Sequence, residues 1–162
     1  MTRVLGLLAL GLATWLVAAT QVPNHMRLPL AGVVPGAVVT QPFGCTELDL
    51  EPYDPACFSR HFHTGIDLAA PEGSPVYSAT DGTAYIGYDP MGAGNFVAVR
   101  VDPHVRIVYC HLSAYRVSDG ESVTAGQQVG LVGATGLATG PHVHFQVDVD
   151  GKPVDPAAFL GS

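Results

Sequence analysis

The residues best suited to chemistry fall in two short motifs. His142-Val143-His144 reads as the head of a strand. Residues two apart on a strand project to the same face, so both imidazoles enter one site. His63-Thr64-Gly65-Ile66-Asp67 sets a histidine and a carboxylate four apart across a glycine. That spacing suits one face of a helix, but the glycine and the following Leu68-Ala69-Ala70-Pro71 fit a loop running into a short strand better, and in either form the two side chains converge. Two histidines and one carboxylate bind zinc while leaving its fourth position to water, the composition of a catalytic rather than a structural site. His111, in Tyr109-Cys110-His111-Leu112-Ser113 at the end of a strand, adds a further polar element. The glycine-rich stretch Gly133-Ala134-Thr135-Gly136-Leu137-Ala138-Thr139-Gly140-Pro141 feeds straight into the His142 strand.

Side chains this far apart in sequence meet only on a rigid frame, and composition indicates which kind. The 162 residues contain 19 Gly and 13 Pro with only 13% charged residues, which favours short strands and tight turns within one domain. Strand-like runs recur at 76–79, 83–88, 95–102, 105–112, 128–132 and 142–150, and alternation such as Phe96, Ala98, Arg100 against Val97, Val99, Val101 suits half-buried strands. Asp81-Gly82, Met91-Gly92-Ala93-Gly94, Asp102-Pro103-His104, Asp119-Gly120 and Asp150-Gly151 mark reversals between them. No helical period is long enough for a βαβ crossover, so the fold class is mainly β with an antiparallel sheet. A single turn of helix is expected at Ala157 to Leu160.

The N-terminus indicates a compartment. Arg3 precedes the uncharged apolar run Val4 to Ala19, the layout of an export signal, and Val17-Ala18-Ala19 suits a cleavage site. The uncharged stretch continues through Asn24, close to the ~17–20 residues that span a bilayer. Residues 1–20 are therefore read as a signal peptide or an N-terminal membrane anchor, 21–35 as a linker, and 36–160 as the folded domain. Export to the periplasm or cell surface follows. In an oxidising compartment Cys45 and Cys57 are the expected disulfide pair, bracketing a loop rich in Pro, Asp and Glu. Cys110, in an apolar run, is expected as a small buried hydrophobe. A net charge of −7 with Lys152 as the single lysine leaves no basic stripe for phosphates, which excludes a nucleic-acid partner.

Taken together, Gln41-Pro42-Phe43-Gly44, His63-Thr64-Gly65-Ile66-Asp67-Leu68-Ala69-Ala70-Pro71, Gly94-Asn95, His111-Leu112-Ser113, Gly126-Gln127 and Thr139-Gly140-Pro141-His142-Val143-His144-Phe145 resemble, in order, the zinc peptidases of family M23, the lysostaphin and LytM type. The resemblance spans 38–156. It implies an antiparallel β-sheet domain of the duplicated-hybrid-motif kind, one Zn2+ held by His63, Asp67 and His144, and His111 and His142 as catalytic histidines. The implied substrate is the peptide cross-link of bacterial peptidoglycan. A zinc ion with two neutral imidazoles and one carboxylate lowers its water toward a pKa of about 7, and a histidine beside that water can take its proton.

Other residues are assigned no role. His61 lies outside the motif and reads as a groove-edge or surface residue, His104 as a turn residue and His25 as part of the linker. Asn95 is an ordinary turn residue. Tyr53, Tyr85, Tyr88 and Tyr115 are candidates for a groove lining, with strand packing as the more common role. The insert from Cys45 to Cys57 departs from the family pattern and is expected to form one groove wall. Asp102-Pro103-His104 replaces the usual Gly/Asn-rich hairpin. Two rival readings are a metal-free relative that activates a cell-wall amidase, opposed by the presence of all five site residues, and a carrier-type barrel suggested by 123–130, opposed by the position of Lys152.

Overall fold

The computed structural model describes residues 27–161. The export segment 1–20, the first part of the linker and His25 lie outside the described residues. Among the described residues no helix is long and apolar enough to cross a membrane.

Numbered along the chain, the main sheet contains β1 (Val38–Gln41), β4 (Ile66–Ala69), β6 (Gly82–Asp89), β7 (Gly94–Arg100), β8 (Val105–Leu112), β10 (Ser122–Val123), β12 (His142–Val149) and β13 (Lys152–Val154). Its order is β1-β4-β12-β8-β7-β6-β10, with β13 also paired to β12, and every pairing is antiparallel. A smaller sheet joins β5 (Pro75–Tyr77), β11 (Gln128–Leu131) and β9 (Ala114–Tyr115), and β2 (Gly44–Thr46) pairs with β3 (His61–His63). Two short helices, α1 (Leu30–Val33) and α2 (Pro156–Leu160), complete the fold. The expected reversals at 91–94, 102–104 and 150–151 are the connections of the hairpins β6–β7, β7–β8 and β12–β13. In the middle one, Asp102 Oδ1 accepts from the backbone N–H groups of His104 and Val105, so an aspartate-stabilised turn does the work of glycines.

The period of two sorts the sheet into two faces. Val143, Phe145 and Val147 of β12, Ile107 and Tyr109 of β8, Val97 and Val99 of β7, and Ile66 and Leu68 of β4 are all buried in one apolar cluster with Val76 and Val129 of the small sheet. The opposite face of the same strands carries Asp67, His142, His144 and Gln146. Core and groove are thus the two sides of single strands. The Tyr109 and Phe145 rings meet at 5.4 Å between centroids, and the Tyr109 hydroxyl accepts the backbone N–H of Ala79 at 2.7 Å, tying the large sheet to the chain leaving β5.

The boundary of the domain differs from the sequence expectation. Residues 27–35, read as linker, belong to the packed unit: Val33 and Val34 are buried in the core, Leu28 N–H donates to Ala79 O at 2.8 Å, and the Arg27 guanidinium caps Phe159 O and lies over its ring. The Pro and Gly that suggest a linker bound the single turn of α1. Its valines contribute core area from a segment too short to show a period.

Cys45 and Cys57 form a disulfide, and Cys110 is a free, buried thiol. His104 is exposed beside Asp150, as a turn residue should be.

Replacing Tyr109 with Phe leaves the buried Ala79 N–H without its acceptor. The Tyr109→Phe variant should lose about 1–3 kcal/mol of stability, measured by urea denaturation, with the metal affinity of the folded protein unchanged.

Candidate metal centre and catalytic groove

Antiparallel register brings the first two ligand-type residues together: Asp67 of β4 and His144 of β12 are direct cross-strand partners. His63 arrives from β3, and only Thr64 and Gly65 separate that strand from β4. The glycine is what permits the crossing. A Cβ on Gly65 would stand 2.5 Å from Phe145 O and 2.8 Å from His144 Nε2, so any side chain there displaces the strand that carries His144. The His63-Thr64-Gly65-Ile66-Asp67 motif is therefore strand, two-residue turn and strand, in keeping with the non-helical reading.

Three atoms converge. His63 Nε2 lies 2.9 Å from His144 Nδ1 and 3.1 Å from Asp67 Oδ1, and His144 Nδ1 lies 3.1 Å from Asp67 Oδ1. Corners of such a triangle are nearer its centre than the ~2.0–2.2 Å of zinc–nitrogen and zinc–oxygen bonds. The three atoms are thus close enough together to be shared by one divalent ion.

Outer hydrogen bonds fix which nitrogen of each ring is free. His63 Nδ1–H donates to Pro42 O at 2.9 Å, His111 Nδ1–H to Thr135 O at 2.9 Å, and His142 Nδ1–H to Gly140 O at 2.8 Å. Each leaves Nε2 facing the groove. His144 is reversed: Nε2–H donates to Gln146 Oε1 at 3.3 Å, which leaves Nδ1 for the triangle. Gln146 is oriented in turn by its own donation to Asp148 Oδ1 at 2.6 Å and by the Thr64 hydroxyl, which donates to Gln146 Oε1 at 2.7 Å. Arg106 holds Asp148 through Nη2 at 2.6 Å. Two imidazole lone pairs and a carboxylate oxygen aimed at one point repel one another unless a cation lies between them, so the donor set fits a metal ion.

Electrostatics agree. Burial alone would raise the Asp67 carboxyl, but hydrogen bonds from His144 and His63 and their charge outweigh it and hold the group well below the usual carboxylate range. Burial lowers His63, yet its hydrogen bonds to Asp67 and Pro42 raise it further, for a net upward shift.

His111 reaches the groove by an irregularity. Asn95 pairs with Leu112 and Val97 with Tyr109, so one residue of β7 faces two of β8, a bulge. His111 adopts φ +62°, the left-handed region, at an energetic cost of order 1–2 kcal/mol for a residue with a Cβ. Its ring thereby joins the groove face beside Cys110 while Leu112 returns to the core. The His111 and His142 rings lie 4.7 Å apart, and burial pushes the His111 imidazole below its ordinary value. Cys110 borders the same groove, but burial pushes its thiol up to about 12, so it is no nucleophile.

The groove, about 380 Å³, is lined by Asp67, His111, His142 and His144, with Leu48, Leu50, Met91 and Leu137 supplying apolar walls. Four of the five site residues expected from sequence line it, and the fifth, His63, is buried behind them against Asp67 and His144. The loop 45–57 contributes Leu48, Leu50, Glu51 and Pro52, so the expected wall is present. None of Tyr53, Tyr85, Tyr88 or Tyr115 lines it; the Tyr115 hydroxyl instead donates to Gly87 O at 2.6 Å and lies 3.0 Å from Asn95 Oδ1, and Asn95 Nδ2 donates to Leu112 O, a structural tie behind the bulge. Gln146, Thr64, Asp148 and Glu51 escape a reading of the sequence. For Gln146 the signal exists, since it follows His144 by two on one strand face.

The family model described as "Peptidase family M23" matches residues 61–156. The chain is 40% identical over 104 residues to "DD-carboxypeptidase/endopeptidase Mpg" of Neisseria meningitidis, covering 64% of this chain and 24% of that protein. It is 41% identical over 93 residues to "Peptidoglycan DD-endopeptidase ShyA" of Vibrio cholerae, covering 57% of this chain and 22% of that protein. The chain thus spans about a quarter of the length of these relatives. The catalytic domain of the antimicrobial peptidase lysostaphin from Staphylococcus simulans superposes with a TM-score of 0.64 at 32% identity, covering 78% of this chain and 93% of that one.

Two outcomes follow from the geometry. Gly65→Ala should weaken metal binding about 10-fold or more, because it moves the His144 ring and its support, as read by chelator competition. Because protons and metal compete for His63 Nε2, whose proton affinity is raised, metal affinity should begin to fall as pH drops through a value above the ordinary 6.5. Isothermal titration across pH 5–9 (about that range) checks the position of the break. By fold, by matched sequence and by the order of its motifs, the chain belongs to peptidase family M23.

Proposed function

We propose that this protein is an exported, zinc-dependent endopeptidase that hydrolyses the peptide cross-links of bacterial peptidoglycan. The observation that carries this reading is the convergence of His63, Asp67 and His144 in the groove that also holds His111 and His142, within a chain of a peptidase family. The names of the Neisseria and Vibrio relatives support a DD-type cross-link as the bond cut.

In this reading His63 Nε2, Asp67 Oδ1 and His144 Nδ1 hold one zinc ion. When bound, the ion would polarise the scissile carbonyl and acidify a water at its open position. The remaining chemistry belongs to the protein. His111, kept neutral by burial and oriented by the Thr135 carbonyl, offers Nε2 to the groove as the acceptor of the water's proton. His142, oriented by Gly140 O, offers its Nε2 from the adjacent ring and contacts the reacting peptide group. The strained backbone at His111 is consistent with a catalytic position, because the cost is met by the surrounding sheet. The apolar walls Leu48, Leu50, Met91 and Leu137 exclude water from the flanks of an extended peptide.

Incubation of the oxidised, zinc-loaded chain with purified sacculi should release fragments with new peptide ends, identified by mass spectrometry. His111→Ala and a chelated sample should release none. Intact sacculi in the presence of a folded, zinc-loaded protein would favour the binding-module alternative, and fragments that persist in both controls would sink the assignment of the site.

A further inference from the structure

Three polar side chains follow one another on the groove face of β12. His144, Gln146 and Asp148 alternate with Phe145 and Val147 of the core, so they stand in a row. Asp148 is buried, and its direct partner across the strands is Arg106 of β8. The guanidinium occupies one carboxylate oxygen: Nη2 and Nε both donate to Oδ2, at 2.6 and 3.1 Å. Oδ1 is left to accept from Gln146 Nε2 at 2.6 Å. On the other side, Gln146 Oε1 faces the Thr64 hydroxyl at 2.7 Å and His144 Nε2 at 3.3 Å. Roughly 13 Å of strand separates Asp148 from His144, and a single amide joins them.

A primary amide has an acceptor at one end and donors at the other. Which end meets the histidine is decided at the far end of the row. Arg106 has donors alone, so the group facing it must accept. A carboxylate there offers its second oxygen as an acceptor too, and the Gln146 NH2 has to turn toward it. Oε1 then turns toward His144 and requires a proton on Nε2, which leaves the Nδ1 lone pair aimed at the point shared with His63 Nε2 and Asp67 Oδ1. Asp148→Asn reverses every step. The new side-chain oxygen goes to Arg106 and the new NH2 to Gln146, whose own NH2 then faces His144 Nε2. The imidazole proton moves to Nδ1, where the three donor atoms meet.

We propose that Asp148 and Arg106 are positioning residues of the metal centre: through the Gln146 amide they select the His144 tautomer whose Nδ1 is free to bind. This rests on the reading that His63, Asp67 and His144 hold the ion. An ion pair between two strands thereby sets the chemistry of a ligand it never touches.

The test uses the full-length, oxidised chain with its histidines isotope-labelled. Proton–nitrogen NMR spectra of the metal-free protein, recorded where the imidazoles are neutral, read the His144 tautomer, and Zn2+ titration against a chromophoric chelator reads affinity. Asp148→Asn should move the His144 proton from Nε2 toward Nδ1 and weaken Zn2+ binding about 10-fold or more. Adding Gln146→Glu to Asp148→Asn returns a carboxylate to the row beside His144 and should bring both readouts back toward wild type, which a merely structural contact would not do. Gln146→Met, lacking an acceptor, should weaken binding by a similar factor. A folded Asp148→Asn with wild-type tautomer and affinity overturns the proposal, as do Gln146→Met at wild-type affinity and a folded double variant that stays weak. The last two outcomes hold even if circular dichroism shows Asp148→Asn alone to be unfolded. Retention of wild-type affinity in His144→Ala overturns the three-residue site itself, whereas its loss beside an unaffected Asp148→Asn overturns only the role of the row.

Discussion

Three electron-rich atoms, His63 Nε2, His144 Nδ1 and Asp67 Oδ1, are held within about 3 Å of one another, and nothing in ordinary packing favours that arrangement. Mutual repulsion of two lone pairs and a carboxylate must be overcome by the frame, or relieved by a cation. The fold bears on this constraint at several points. Antiparallel register fixes Asp67 opposite His144, Gly65 lets β3 cross close beneath β12, and Pro42 O holds the His63 ring from behind. Outside the triangle, the line Arg106–Asp148–Gln146 orients His144, with the carboxylate in its middle buried. These supports lie on the sheet and its edges rather than on free loops, and for that reason they can hold a repulsive geometry in place.

The same strands that carry the site also make the core. On β12 the sequence His142-Val143-His144-Phe145-Gln146-Val147 alternates groove and core residue by residue. A one-residue slip in register would bury the histidines and expose Phe145. The burial of Phe145 against Tyr109 therefore secures the aim of His144 as firmly as any hydrogen bond to its ring does.

This alternation is what made so much of the molecule legible in the sequence. Long strands such as β6, β7, β8 and β12 show a period of two over seven or eight residues, enough to be read. The two- and three-residue strands β2, β3, β9 and β10 carry no period, because their existence depends on neighbours distant in sequence. Val33 and Val34 were hidden for the same reason, lying in a turn between prolines and glycine that reads as linker. The five chemical residues were visible through their types and spacing, but their tautomers were not, since Pro42, Thr135 and Gly140 act through backbone carbonyls that every residue possesses. The bulge at His111 left no mark either; a glycine would signal a left-handed backbone, and a histidine does not. Glu51 is invisible in sequence because its position depends on how the loop closes.

Cys110 bears on the character of the groove floor. An ionised thiol is a nucleophile and a soft donor, and this one borders the same groove as Asp67, His142 and His144. Burial, reinforced by the field of Asp67, pushes its pKa up to about 12, so it stays protonated wherever the histidines are neutral. A protonated thiol neither ligates strongly nor oxidises readily. The thiol therefore gives the groove floor packing rather than charge, an apolar patch set among the polar rings.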